Sequence, residues 1–282
     1  MSKLHDPMAN GISLTAEVMV GRSHASGQTL ETDTLAAEVP VALVYNGISH
    51  VVLMASPVHL AELAIGFSLT EQIIDKRAEL FDIEVETVDN GITVNIEISA
   101  AAFGRLKERR RNMTGRTGCG LCGTESLDEV WRQLPTTTAV QATAAVPLLD
   151  DIAQAFAQMR QRQPLFEQTG ATHAAGWWQP EQGLLAVCED VGRHNALDKL
   201  IGRCFAAREP AWDCATGFLL LTSRASVEMV QKAAVMGMKT VITLSAPTSL
   251  AVQIAKTCGI TLVRYQPAKH ALAVFNGPDI HI

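Results

Sequence analysis

The 282-residue chain contains no run of about 18 apolar residues, so nothing in it predicts a membrane-spanning helix. Its first residues, Met1-Ser2-Lys3-Leu4-His5-Asp6-Pro7, lack the apolar core of a signal peptide, and the expected location is the cytoplasm. There is no general excess of positive charge. A net charge of -6 and a pI near 5.8 argue against broad nucleic-acid affinity. A disulfide framework is missing too. Of six cysteines, only Cys119 and Cys122 are spaced as a motif. Cys188, Cys204, Cys214 and Cys258 are scattered among apolar or helical residues, the pattern of reduced cytosolic thiols. No repeat or low-complexity tract is visible. None of the eight histidines has Glu two residues on, and Gly118 rather than Pro precedes Cys119. The H-x-E and P-C-x-x-C signature of zinc deaminases is therefore absent, although a hairpin followed by βαβαβ resembles their fold.

What is present centres on Gly115-Arg116-Thr117-Gly118-Cys119-Gly120-Leu121-Cys122-Gly123. The glycines permit sharp bends and free backbone N–H groups. Arg105, Lys107, Arg109, Arg110, Arg111 and Arg116 stand just upstream against one acid, Glu108. Nearby cations lower a thiol's pKa, and the thiolate is the reactive form. Three chemistries fit the pair: disulfide exchange, half of a zinc site, or carriage of a persulfide sulfur. Structural zinc needs two more ligands at recognisable spacing.

Hydrophobic content of 48% supplies ample core for one large or two modest domains. Residues 1–36 are polar, with Ile12 to Val20 readable as an edge strand and the rest as a loose arm. Val41–Tyr45 and Ile48–Met54 flank Asn46-Gly47, a strong hairpin signal. Ser56-Pro57 is expected to open a helix with Leu60, Leu63, Ala64, Phe67 and Ile74 inward. Ile92, Val94, Ile96 and Ile98 alternate with polar residues after Asp89-Asn90-Gly91, a second hairpin. Ala100 to Arg111 reads as a helix, Ser126-Leu-Asp-Glu129 as a capping box, and Pro135 to Ala145 as a linker.

The second half has another rhythm. A helix containing Leu148, Leu149, Ile152, Phe156 and Met159 stops by Pro164. Strands over 172–178 and 184–187 pair, and helix 194–206, strand 217–222, helix 226–236, strand 240–244, helix 248–257 and strand 260–265 follow. This order implies a largely parallel sheet with helices on both faces. Ligands of such sheets sit outside the strands' carboxyl ends. There lie Thr222 to Ser226 and Ser245 to Thr248, whose helix N-termini suit a phosphate or are simply capped. Tyr265 to His270 could stack a base or be a plain exit loop. In Glu189 to Asn195, Asp190 or Asn195 can cap, and His194 and Asp198, one turn apart, can pair. His173 reads as structural.

Five separated blocks then resemble one family. They are Val39-Pro-Val-Ala-Leu-Val-Tyr-Asn-Gly-Ile-Ser-His50, Gly118-Cys-Gly-Leu-Cys-Gly123, Thr172-His-Ala-Ala175, Glu189-Asp-Val-Gly-Arg-His-Asn-Ala-Leu-Asp-Lys199 and Ser245-Ala-Pro-Thr-Ser-Leu-Ala251. Together they are similar to FdhD, the formate dehydrogenase accessory sulfurtransferases, from about Ala37 to Tyr265. The resemblance implies an α/β fold: an α+β N-terminal domain, 1–135, and a cytidine-deaminase-like three-layer α/β domain, 146–282, without catalytic zinc. It implies that sulfur is taken from a cysteine desulfurase as a persulfide. The sulfur passes to the molybdenum (or tungsten) bis-guanine dinucleotide cofactor, which then serves formate dehydrogenase. By position Cys119 is the persulfide intermediate and Cys122 its partner. The family's cofactor-contacting loop falls on Tyr265, Gln266, Pro267, Ala268, Lys269 and His270, with Ala268 and Lys269 in a loop elsewhere richer in glycine and arginine. The resemblance also implies a homodimer with no permanently bound cofactor. A chaperone that binds the cofactor without carrying sulfur is the alternative.

Overall fold

The computed structural model describes residues 12–25, 27–113, 144, 146–206, 212–214 and 216–278. The first elements are β1 (Thr15–His24) and β2 (Gly27–Ala36), an antiparallel pair registered from Thr15 opposite Ala36 to His24 opposite Gly27. The second strand replaces the expected loose arm. Its side chains are mostly exposed and polar, so no alternation marks it; cross-strand pairs do, with Arg22 reaching Glu31 at 3.0 Å and Asp33 at 2.9 Å.

Next come β3 (Val39–Tyr45) and β4 (Ile48–Ala55), turned by Asn46 and Gly47 at φ 47° and 79°. Both central residues have positive φ, as a two-residue hairpin of this kind requires. α1 spans Leu60–Thr70, not Ser56 onward. Ser56 is buried and bonded to residues more than 130 positions away, so it is unavailable as a cap. After a 3-10 turn at Arg77–Glu79, β5 (Leu80–Val88) and β6 (Gly91–Ile98) complete a four-stranded sheet of order β4-β3-β6-β5. Ile92, Val94, Ile96 and Ile98 all point into its core beside Val41, Leu43 and Tyr45. α2 (Ala100–Met113) follows, and its Arg105 is tied to Glu79 at 2.9 Å and Asp75 at 3.2 Å. That guanidinium holds the Glu79 carboxyl below the usual range. The capping box at Ser126 and nearly all of the expected linker lie outside the described residues.

α3 (Leu149–Gln161) ends before Pro164, and Pro164 itself starts a short α4 (Pro164–Thr169) because a first-turn proline loses no hydrogen bond. There follow β7 (His173–Gln179), β8 (Gly183–Asp190), α5 (Arg193–Ala206), β9 (Phe218–Leu221), α6 (Val227–Val235), β10 (Thr240–Thr243), α7 (Ser249–Thr257), β11 (Thr261–Gln266), a 3-10 turn (Pro267–Lys269) and β12 (Ala271–Asn276). The sheet order is β12-β11-β10-β9-β7-β8. It is mixed rather than largely parallel. β9, β10 and β11 run parallel, while β7 is antiparallel to β8 and β9, and β12 is antiparallel to β11. Both faces are covered. Ile152, Phe156 and Met159 of α3 pack on Leu220, Ile242 and Val263; Leu219, Leu221, Val241 and Leu262 face the other way, in a core shared with α5, α6 and α7. The strands are apolar throughout because each face has its own helical layer.

That second core runs on into the four-stranded sheet through α1 and α5. A Cβ on Gly66 would stand 1.8 Å from the Asp198 carbonyl oxygen, and one on Gly202 1.9 Å from that of Glu62. Each glycine thus meets the carbonyl four residues before the other glycine, and the helices touch backbone to backbone. Gly66→Ala or Gly202→Ala is expected to cost roughly 3 kcal/mol or more, because two backbones must separate. Gly104→Ala, in α2 with open space around it, should gain up to about 1 kcal/mol from helix propensity. Urea unfolding of the three variants checks this, and equal midpoints would contradict the contact.

Candidate functional site

The carboxyl end of the six-stranded sheet is assembled around Asp190, the last residue of β8 and fully buried. Its Oδ1 accepts from the Gly192 N–H at 2.7 Å and from Asn195 Nδ2 at 3.1 Å. Its Oδ2 accepts from Lys199 Nζ at 2.5 Å and from the Ser56 N–H at 3.0 Å. Lys199 also donates to the Ser56 carbonyl at 2.9 Å, Asn195 to that of Met54 at 2.8 Å, and the Val191 N–H to Ser56 Oγ at 3.2 Å. Both charges are inaccessible to water, so each is stable only because every bond is made. The result is a loop, 190–195, stitched to the end of β4 in the other sheet.

One turn further along α5 a second buried cluster forms. Lys232 of α6 donates to Asp198 at 2.9 Å and to Thr70 Oγ1 at 2.8 Å, with Glu71 at 3.2 Å. Thr70 Oγ1 lies 2.8 Å from Asp198 Oδ1. The expected His194–Asp198 pair does not form. Asp198 is claimed by a cation inside, and His194 Nε2, itself buried, lies 3.7 Å from Glu228 Oε2. His194 beside it draws the Glu228 carboxyl down to about 2. His173, half-buried at the start of β7 and in register with Asp190, is held below the usual imidazole value by burial and by Arg193.

The two helix N-termini differ. Thr248 caps α7, accepting from the Ala251 N–H at 3.4 Å. Ser226 does not cap α6; its hydroxyl donates to Glu228 at 2.8 Å. Beside them Thr222 links β9 to β7, accepting from the Ala174 N–H at 2.9 Å. At the end of β11 the loop 265–270 divides into buried and exposed parts. Tyr265 is buried and stacks on Phe156, centroids 5.6 Å apart and planes 20° apart, so its ring belongs to the core. Gln266 is half-buried. Pro267, Ala268, Lys269 and His270 are exposed, and His270, at φ 44°, sits 3.5 Å from Asp150.

Cys119 and Cys122 lie outside the described residues. At the four cysteines among the described residues burial disfavours the thiolate. Burial pushes Cys188 up to about 11 and raises Cys204, Cys214 and Cys258 as well. Among the described residues no three His, Cys, Asp or Glu side chains gather as a metal site. Sequence reasoning missed Ser56, Lys199 and Lys232 as network members. A signal existed for Lys199: it stands among Leu197, Leu200 and Ile201, where only a paired lysine can be buried.

The model of the FdhD/NarQ family matches residues 36–281. A "Sulfur carrier protein FdhD" of Cupriavidus necator is 50% identical over 236 residues, 84% of this chain and 80% of that protein. One of Bordetella petrii with the same name is 45% identical over 280 residues, 99% of this chain and 98% of that protein. A crystal structure from Desulfotalea psychrophila, of a candidate formate dehydrogenase accessory protein, superposes with a TM-score of 0.72 at 25% identity. It covers 95% of this chain and 99% of its own.

Lys199→Met leaves Asp190 buried without its cation and is expected to destabilise the chain by about 3–5 kcal/mol. Adding Asp190→Asn should recover part of that loss. A double-mutant cycle by urea unfolding measures both, and a single-variant loss below about 1 kcal/mol would show that the ion pair does not hold the joint.

Proposed function

The chain belongs to the FdhD/NarQ family, and on that premise we propose that it is a sulfurtransferase accessory to formate dehydrogenase. The Cys119 thiolate attacks the outer sulfur of a cysteine desulfurase persulfide; the donor leaves as thiolate and Cys119 carries the sulfane atom. The cations from Arg105 to Arg116 favour the thiolate. Delivery is to molybdenum bis(molybdopterin guanine dinucleotide), the substrate of the transfer, before that cofactor enters formate dehydrogenase. The Cys122 thiol resolves the persulfide. It attacks Cys119, the outer sulfur departs as sulfide with the bonding pair, and a Cys119–Cys122 disulfide remains for later reduction by a cellular dithiol.

The division of labour follows the chain: residues 1–135 carry the thiol loop and 146–282 hold the cofactor. On this reading the cofactor is a transient guest, against the exposed surface of Pro267 to His270, with Gln266 at the edge. Tyr265 sets that loop from inside, through its stack on Phe156. The chain acts in the cytoplasm as a homodimer, with no membrane or nucleic-acid partner. The observation that carries the proposal is the CxxC pair set behind an arginine-rich segment in a chain 45–50% identical to named sulfur carriers.

Incubation with a cysteine desulfurase and cysteine is expected to add one sulfur atom to the peptide holding Cys119, read by mass spectrometry. Cys119→Ala should abolish the adduct and reduce formate dehydrogenase maturation to background. Full maturation with Cys119→Ala would instead favour a chaperone that holds the cofactor without carrying sulfur.

A further inference from the structure

Arg193 opens α5 immediately after the Asp190 loop. Its Nε is buried and has no hydrogen-bond partner, and the same is true of His194 Nε2. A guanidinium N–H withdrawn from water without an acceptor costs free energy, so Arg193 Nε in an otherwise satisfied region calls for an explanation. Neighbouring acids do not supply one. All four bonds that the Asp190 carboxylate makes go to Gly192, Asn195, Lys199 and Ser56. Glu228 accepts from Ser226 and stands 3.7 Å from His194, so it serves that side chain and not Arg193. Among the described residues Arg193 forms no ion pair, and His173 stands across the strand register from Asp190. Arg224 is exposed on the neighbouring loop after β9.

We propose that Arg193, His194 and His173 form a seat for a phosphate group, at the carboxyl end of β8 and separate in sequence from the 265–270 loop. This rests on the reading that the second half receives a nucleotide-bearing cofactor, and it assigns a phosphate of that ligand to these residues. Phosphate fits because its oxygens accept from several donors at once, and a guanidinium offers donors in a fixed fork. The Asp190 network fixes the loop that carries Arg193 and His194, so little ordering is needed when the anion arrives. His173 supplies a second signature. In the free protein it faces Arg193, His194 and the buried Asp190, and the positive neighbours with burial keep its pKa low. A bound anion reverses that balance and raises it, so binding takes up a proton and strengthens as pH falls toward the imidazole range.

The test uses the full chain and inorganic pyrophosphate, followed by calorimetry at several pH values. Saturable binding is expected, with proton uptake, weakened at least about tenfold by Arg193→Gln, a loss of roughly 1.4 kcal/mol. Arg193→Lys, which keeps the charge but loses the fork, should fall between. Lys256→Gln, at an exposed position in the last turn of α7, should leave binding unchanged. Thermal unfolding identifies any variant that fails to fold; if Arg193→Gln does, His194→Gln with Arg193→Lys decides. No saturable binding by the unmodified chain, or equal binding by Arg193→Gln, overturns the seat. Persulfide loading of Cys119, measured on the same proteins, separates the two ideas. Its failure in the unmodified chain overturns sulfur carriage but leaves the pyrophosphate result standing, whereas retention of loading in Arg193→Gln with weakened pyrophosphate binding supports the seat.

Discussion

Backbone contact between α1 and α5 is the constraint on which the remaining structure depends. Gly66 and Gly202 each lie where any side chain would strike the other helix's carbonyl. Because the helices come this close, Thr70 and Glu71 at the end of one reach Lys232 and Asp198 around the other. For the same reason Ser56, just ahead of α1, meets Asp190 and Lys199. A helix pair spaced by larger residues would leave both lysines short of their partners. Two buried cations would then be uncompensated, a cost comparable to the whole stability of an ordinary domain.

Buried ion pairs are weak sources of stability, since apolar residues of similar volume often do as well. Their effect here is better described as geometric. A lysine held by Asp190 and a serine carbonyl accepts one arrangement of three segments, whereas a leucine in its place would tolerate many. Asp190 turns that fixity outward, because the loop it anchors through Gly192 and Asn195 presents Arg193 and His194 at the sheet's carboxyl end. The distance from core to rim is therefore one loop.

Much of this fold was legible in the sequence because its signals are local. Asn46-Gly47 dictates its own turn, and Ile92 to Ile98 alternates by the pleat. The αβ succession from Arg193 to Gln266 follows from period alone. What escaped has a common cause: it is decided by distant partners. Ser56 looks like a cap until Val191 is placed beside it. β2 has no apolar face, and β12 is an edge strand that depends on β11. Direction within the sheet escaped as well, since the β7–β8 hairpin inserts antiparallel beside β9 and no residue in it declares that. At the candidate site, His194 was assigned to Asp198 by helical spacing, but Lys232, remote in sequence, takes that carboxylate. Tyr265, at the head of a loop that could stack a base or be a plain exit, is stacked on Phe156, a partner more than a hundred residues away.

The thiols add a last step. Cys188, Cys204, Cys214 and Cys258 all sit where burial opposes ionisation, at the ends or flanks of elements that pack against the shared core. A persulfide acceptor must be ionised and reachable by another protein. None of these four satisfies both conditions. A chain that carries sulfur therefore needs a thiol whose surroundings favour ionisation, and the sequence sets Cys119 and Cys122 directly behind the cations of Arg105 to Arg116.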